Sequence, residues 1–198
     1  MPRKQVTKSA SKSSRTPTAV AAKPASKPAA TPSKPTATVE SKPVSKGKVP
    51  DLSTYANALR WLHERTDIER SRNVRYSDGA FSLDRMHQLL KLLGNPHEQV
   101  KTVHVAGTVG KGSTVAMIAS MLRACGYVVA EYISPHLVDV RERLTVNGKM
   151  IGKNDFVELL KKVAKAVHKM DEEPTFFEVM TAAALKHFAT EAVDIAVI

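Results

Sequence analysis

The sequence predicts an α/β fold: a P-loop-type, mostly parallel sheet with flanking helices, incomplete at its C-terminal end. Three observations predict it. A short β-run, Val103-His104-Val105, feeds a glycine-rich loop and then an apolar helical segment. From residue 100 onward, buried-strand runs alternate with helical periodicity, the pattern of parallel strands joined by crossovers. The final apolar run, Asp194–Ile198, stops where a strand has just entered such a sheet.

Each element has its own signal. Leu52, Tyr55, Leu59 and Leu62 recur at helical spacing and predict a helix over 52–66. Ser82 reads as the N-cap of a helix over Leu83–Leu93, with Gly94 as its stop and Pro96 beyond. Val100–Val105 is the first strand, Ser113–Cys125 a helix ended by Gly126, and Tyr127–Ile133 a second strand. Together they form a βαβ unit whose crossover implies parallel strands. Leu144–Ile151 reads as a hairpin around the two-residue turn Asn147-Gly148. Asn154 is placed to cap a helix whose apolar face is Phe156, Leu159, Leu160, Val163 and Val167. Pro174-Thr175 opens a further helix to about Thr190, and Asp194–Ile198 is the third buried strand.

Charge separates the chain into two regions. Residues 1–48 hold eleven Lys and Arg against one acid, Glu40, and consist largely of Lys, Ala, Pro, Ser, Thr and Val. Ten of the net eleven positive charges lie there, so the remainder is close to neutral. Residues 1–48 lack the apolar periodicity that offsets ordering entropy, which predicts a disordered basic tail. Lys23-Pro24, Lys27-Pro28, Lys34-Pro35 and Lys42-Pro43 favour extended backbone. Nucleic acid is expected as a partner only through this tail, by sequence-independent charge; a solubilising extension without a partner explains it equally well. No apolar run is long enough to span a bilayer, so no membrane partner is expected. The single cysteine, Cys125, and the absence of an apolar leader core predict a cytoplasmic protein.

The chemistry centres on Gly107-Thr108-Val109-Gly110-Lys111-Gly112-Ser113. Glycines let successive N–H groups converge on anionic oxygens, and a helix N-terminus adds the positive end of its dipole. Lys111 supplies a cation for the outer phosphates of ATP, and Ser113 an oxygen for Mg²⁺. The strict P-loop pattern is not met: Val105 stands where its first glycine belongs, and Gly112 delays the hydroxyl by one position. A glycine-rich βα turn that binds nothing is the bland alternative.

Four ordered segments resemble the folylpolyglutamate synthase / dihydrofolate synthase family, a branch of the Mur-ligase-like ATP-dependent amide ligases. They are Gly107–Ser113, with Val109 where the family has Asn; Ser134-Pro135-His136-Leu137 leading through Arg141-Glu142-Arg143-Leu144 to Val146-Asn147-Gly148; Thr175-Phe176-Phe177-Glu178; and Val193–Ile198. Ser82–Met86 and Leu93–Pro96 fit the same pattern, so the resemblance covers residues 51–198.

The resemblance implies a Mur-ligase-like central ATPase domain. It also implies ATP-dependent ligation of L-glutamate to a folate or to dihydropteroate through an acyl phosphate, by an enzyme that is typically a monomer. Gly107, Thr108, Gly110, Lys111, Gly112 and Ser113 would hold ATP, with Lys111 as the catalytic cation; Ser134 and Ser113 would ligate Mg²⁺. Gly79, Ala80, Phe81, Thr175, Phe176, Phe177 and Glu178 would line the pterin-bearing substrate's pocket. Capping alone explains Thr175 and Glu178, and core packing at least one of the phenylalanines. His136 reads as structural; Arg141 and Arg143 read as a solvated loop face, with contact to the substrate's glutamate carboxylates as the alternative. The family's remaining metal ligands and its glutamate-receiving domain lie beyond Ile198, so the chain is expected to be an inactive piece of a larger enzyme. A ligase of cell-wall precursors, or a truncated nucleotide-binding module tethered by its tail, are the alternatives.

Overall fold

The computed structural model describes residues 50–67 and 83–198. The chain divides into two units, Met1–Pro35 and Thr36–Ile198, and every described residue belongs to the second. The basic tail, the Ser82 cap and the Gly79-Ala80-Phe81 stretch lie outside the described residues.

Five strands form one sheet in the order β1-β5-β2-β3-β4. They are β1 (Thr102–Val103), β2 (Val129–Tyr132), β3 (Leu144–Val146), β4 (Lys149–Met150) and β5 (Ile195–Val197). β5 pairs in parallel with β1 on one side and β2 on the other, whereas β3 and β4 add antiparallel. The βαβ expectation of parallel strands holds, but the two strands are not neighbours: β5 returns between them. The hairpin joins the same sheet, which is therefore mixed. The β1 ladder extends past its assigned residues, because Ala196 N–H donates to Lys101 O (2.8 Å) and Val105 N–H to Ile198 O (2.6 Å).

Successive strand residues face opposite sides of the sheet, and here they separate two cores. Val129 and Val197 pack with Val115 and Ala119 of α3 (Lys111–Ala124). Ala130, Tyr132 and Ala196 face the larger core of α1 (Tyr55–His63), α2 (Asp84–Leu92), α4 (Lys153–Val167) and α5 (Phe176–Thr190). α5 is apolar around most of its circumference, with Phe176, Val179, Met180, Ala183 and Phe188 all buried, as a helix enclosed by other helices must be.

The helix ends follow local chemistry. Thr54 caps α1 by accepting from Asn57 N–H at 3.2 Å. Gly94 (φ +86°) ends the α2 segment and Gly126 (φ +90°) the α3 segment, both in the left-handed region that favours glycine. The hairpin turn is as expected, with positive φ at both Asn147 (49°) and Gly148 (73°). Asn147 also exchanges bonds with β2: Val129 N–H donates to its Oδ1 (2.9 Å), and its N–H to Val129 O (2.8 Å).

One cap differs from expectation. Asn154 does not cap α4; extended Gly152 occupies the N-cap position and Asn154 lies inside the first turn. Ile151 N–H still donates to Leu144 O, so hairpin pairing keeps the chain extended up to that point.

Phe188, with no exposed surface, sits in the centre of the helical core. Phe188→Ala is expected to cost about 3–5 kcal/mol in equilibrium urea denaturation, the range for a large-to-small change in a packed core. A loss below about 1 kcal/mol would show that the position is not central to packing.

Candidate functional site

The three parallel strands end at one edge of the sheet, the edge where α/β folds bind ligands. The loop after β1, the loop after β2 and Ile198 after β5 converge there. Gly110 takes φ +78° as the N-cap of α3, and an added Cβ at Gly110 or Gly112 would meet nothing within 4 Å. Conformation at Gly110, and open space for an approaching ligand at Gly112, are therefore what these glycines supply. The first turn of α3 contains no acid. Its N–H groups at Lys111, Gly112 and Ser113 precede any possible intrahelical acceptor, leaving the positive helix end for an external anion.

Gly107, Thr108, Gly110, Lys111, Gly112 and Ser113 are all exposed. Lys111 Nζ donates to Gly107 O at 2.8 Å, folding the cation back across the loop. Val109 is 88 % exposed and packs against nothing that would explain an apolar residue there.

Ser134 is exposed at the carboxyl end of β2, next to a cis Ser134-Pro135 bond. β5 lies between it and β1, so Ser134 is two strands away from the glycine loop rather than one. At the usual spacing that is about 10 Å across the sheet. Among the described residues no three His, Cys, Asp or Glu side chains gather as a metal site. Ser113 and Ser134 both expose hydroxyl oxygens at this edge, the type of ligand that Mg²⁺ prefers when it also retains waters and binds phosphate oxygens.

The Thr175–Glu178 segment performs the capping expected of it. Thr175 N–H donates to Glu178 Oε2 (2.7 Å) and Glu178 N–H to Thr175 Oγ1 (3.2 Å). Glu178 also accepts from Arg85 Nε at 3.3 Å, joining α2 to α5. Phe176 is inside the core, stacked on His63 (centroids 5.8 Å) and beneath the Arg143 guanidinium. It has no free face for a ligand. Phe177 is 39 % exposed and tilted against Tyr132, so it is the aromatic of this segment that can meet a flat ring.

The turn after Ser134 is held by polar side chains, of which Asp139 has no role assigned from sequence. Asp139 accepts from Tyr55 Oη (2.7 Å) and from Arg141 Nη2 (2.8 Å), and Arg141 Nη1 donates to Ile151 O (3.1 Å). Arg143 is 2 % exposed and its Nε donates to His136 Nδ1 at 3.0 Å. The structural reading of His136 agrees with this bond. The solvated-face reading of the two arginines does not: both are tied down within the protein. The signal was present in sequence as Asp139-x-x-Glu142, a capping-box spacing. Burial and the Asp139 hydrogen bond push the Tyr55 phenol up to about 12. Hydrogen bonds from Arg141 hold the Asp139 carboxyl well below the usual carboxylate range.

No family model matches the chain. It is 38 % identical over 141 residues to the dihydrofolate synthase/folylpolyglutamate synthase of Bacillus subtilis, covering 69 % of this chain and 31 % of that protein. It is 36 % identical over 165 residues to the folylpolyglutamate synthase of Arabidopsis thaliana, covering 77 % and 26 %. Among solved structures, the folylpolyglutamate synthase of Thermotoga maritima superposes with a TM-score of 0.63 at 37 % identity, over 72 % of this chain and 32 % of that one. A structure described as an FPGS–AMPPCP–folate complex superposes with a TM-score of 0.64 at 32 % identity, over 73 % and 34 %. The chain thus spans about a third of the length of these relatives.

Fold and loop together define an α/β domain with a glycine-rich loop at the carboxyl edge of its parallel strands. The chain belongs to the folylpolyglutamate synthase / dihydrofolate synthase family. No helix among the described residues is long and apolar enough to cross a membrane.

The Asp139 network predicts an acid response. The fold favours its ionised form, so the stability it contributes is present above the ordinary Asp pKa of about 4 and is lost as pH falls through the lower folded value. Asp139→Asn should therefore flatten the decline in stability below about pH 4 that is expected of the unmodified chain. Superimposable acid limbs in urea titrations at stepped pH would contradict this assignment.

Proposed function

We propose that this domain serves an ATP-dependent ligase that joins L-glutamate to a folate or to dihydropteroate. The observation that carries the reading is the glycine loop at the α3 N-terminus, on the carboxyl edge of a parallel sheet, in a chain 38 % identical to a dihydrofolate synthase/folylpolyglutamate synthase. A carboxylate does not acylate an amine directly, because its leaving group would be oxide. ATP supplies a phosphoryl group that turns that oxygen into a phosphate leaving group, and the amino nitrogen of glutamate then attacks the acyl carbon.

In this reading the protein positions charge more than it reacts. The N–H groups of Gly110, Lys111, Gly112 and Ser113, with Gly107 and Thr108 shaping the loop, cradle the phosphates. Lys111 leaves Gly107 O and neutralises the outer phosphates as charge shifts onto them. Ser113 and Ser134 would hold Mg²⁺, directly or through its retained waters, and the ion would offset phosphate charge there. Phe177 packs on the pterin-bearing substrate, with Thr175 and Glu178 beside it and Phe176 behind; the family resemblance adds Gly79, Ala80 and Phe81, which lie outside the described residues. A monomer in the cytoplasm is the setting that the lone Cys125 and the family resemblance favour.

The test is ATP-dependent incorporation of labelled glutamate by the complete gene product, with folate and dihydropteroate offered separately. Incorporation into at least one acceptor is expected; none into either overturns the reading. In the present chain Lys111→Ala should weaken binding of a non-hydrolysable ATP analogue by about tenfold or more, since one charge-assisted contact to phosphate is lost. Unchanged affinity in calorimetry would remove Lys111 from the site.

One observation supports a second role for the tail: ten net positive charges within 48 residues. Such a segment binds nucleic acid through counterion release. Nucleic-acid affinity that falls steeply with salt, and disappears on deleting residues 1–48, is the expected result. Binding that survives the deletion would place the contact elsewhere.

A further inference from the structure

The loop from Ser134 to Asp139 is held by more than a turn of its kind requires. A capping box needs one bond from its fourth residue, to the N–H of the first. Glu142 makes that bond to Asp139 N–H at 2.8 Å and then accepts two more, from Leu137 N–H at 2.7 Å and Val138 N–H at 2.9 Å. Oε1 serves Val138 and Asp139; Oε2 serves Leu137. Three successive N–H groups converge on one carboxylate, the arrangement by which backbone holds an anion.

Side-chain burial does not explain the loop's path. Leu137 and Val138 are each 91 % exposed, so their packing contributes little. Polar bonds do the holding instead. His136 is fixed by Arg143, Asp139 by Arg141 and Tyr55, and the two residues between them by Glu142. The loop is thereby tied to its own following turn, to α1 through Tyr55 and to α5 through Arg143 above the Phe176 ring. Ser134 lies at the head of this loop.

We propose that Glu142 is a positioning residue: its carboxylate, by taking the N–H groups of Leu137, Val138 and Asp139, fixes the loop so that the Ser134 hydroxyl stays at the phosphate-binding edge. The inference rests on the reading of Ser134 as a Mg²⁺ ligand given under Proposed function. Its three backbone donors hold the Glu142 carboxyl below the ordinary range, so it is an acceptor at neutral pH. A purely structural cap would lower stability on removal and leave the metal dependence of nucleotide binding untouched.

The experiment uses the full chain with Glu142→Ala, Glu142→Gln and Ser134→Ala. Amide hydrogen exchange at Leu137 and Val138 is one readout. Calorimetric titration of a non-hydrolysable ATP analogue, with and without Mg²⁺, is the other. Glu142→Ala should speed exchange at both amides and raise the half-saturating Mg²⁺ about tenfold, the lower end for loss of a group that orients a metal ligand. Affinity without Mg²⁺ should stay within about twofold, because the glycine loop is untouched. Glu142→Gln keeps one carbonyl oxygen, enough for Val138 and Asp139, and loses the Leu137 bond. It should therefore shift Mg²⁺ dependence less and leave Leu137 as the faster-exchanging amide. If Ser134→Ala shifts Mg²⁺ dependence and neither Glu142 variant does, the positioning role is overturned and the metal reading stands. If Ser134→Ala has no effect either, the metal reading fails and the positioning role falls with it.

Discussion

β5 pairs on both sides at once. Ile195, Ala196 and Val197 meet Val129, Ala130 and Glu131 of β2, while Ala196 and Val197 also meet Thr102 and Val103 of β1. Without that central strand, β1 and β2 have no direct partner in each other, and the loops they carry lose their common edge. The last residues of the chain therefore decide where its earlier functional loops stand. The same strand divides the two cores, with Ala196 towards the helical layer and Val197 towards α3. Asp194, just before it, accepts from Val128 N–H at 2.7 Å and donates back to Val128 O at 2.9 Å, setting the register one residue ahead of both strands.

Around this edge, helix and turn caps also shape the site. Glu178 closes the α5 capping box, binds Arg85 and so couples two helices, all within the segment that faces the proposed substrate. Glu142 closes a second capping box and also holds the neighbouring loop. In both places a carboxylate is satisfied by backbone N–H groups near a helical N-terminus, where negative charge is favourable. A polar group so occupied is preorganised without a dedicated support. For the same reason, substitution at these positions changes fold and site together, and only a ligand-specific measurement separates the two.

Most individual elements could be read locally. The Asn147-Gly148 turn, the Thr175 cap, the Gly94 and Gly126 stops and the α4 apolar face depend on residues within a few positions of one another. Asn154 failed as a cap because hairpin pairing through Ile151 and Leu144 carried the extended chain up to Gly152, a contact that helix periodicity does not encode. Arg141 and Arg143 looked like solvent-facing charges because arginine usually is. Their burial depends on Tyr55, Ile151 and Phe176, which come from three separate segments of the chain.

The sequence alone determined the class of fold, the glycine loop with Lys111, and the family, because each is recorded in short runs of residue types with fixed spacing. Only the tertiary structure decided that β5 enters between β1 and β2, that Ser134 stands two strands from the glycine loop, that Phe177 rather than Phe176 keeps an open face, and that Glu142 holds the loop after β2. Strand order and side-chain burial arise from pairings between distant segments. Their free energy depends on which surfaces meet, and local propensity does not specify that.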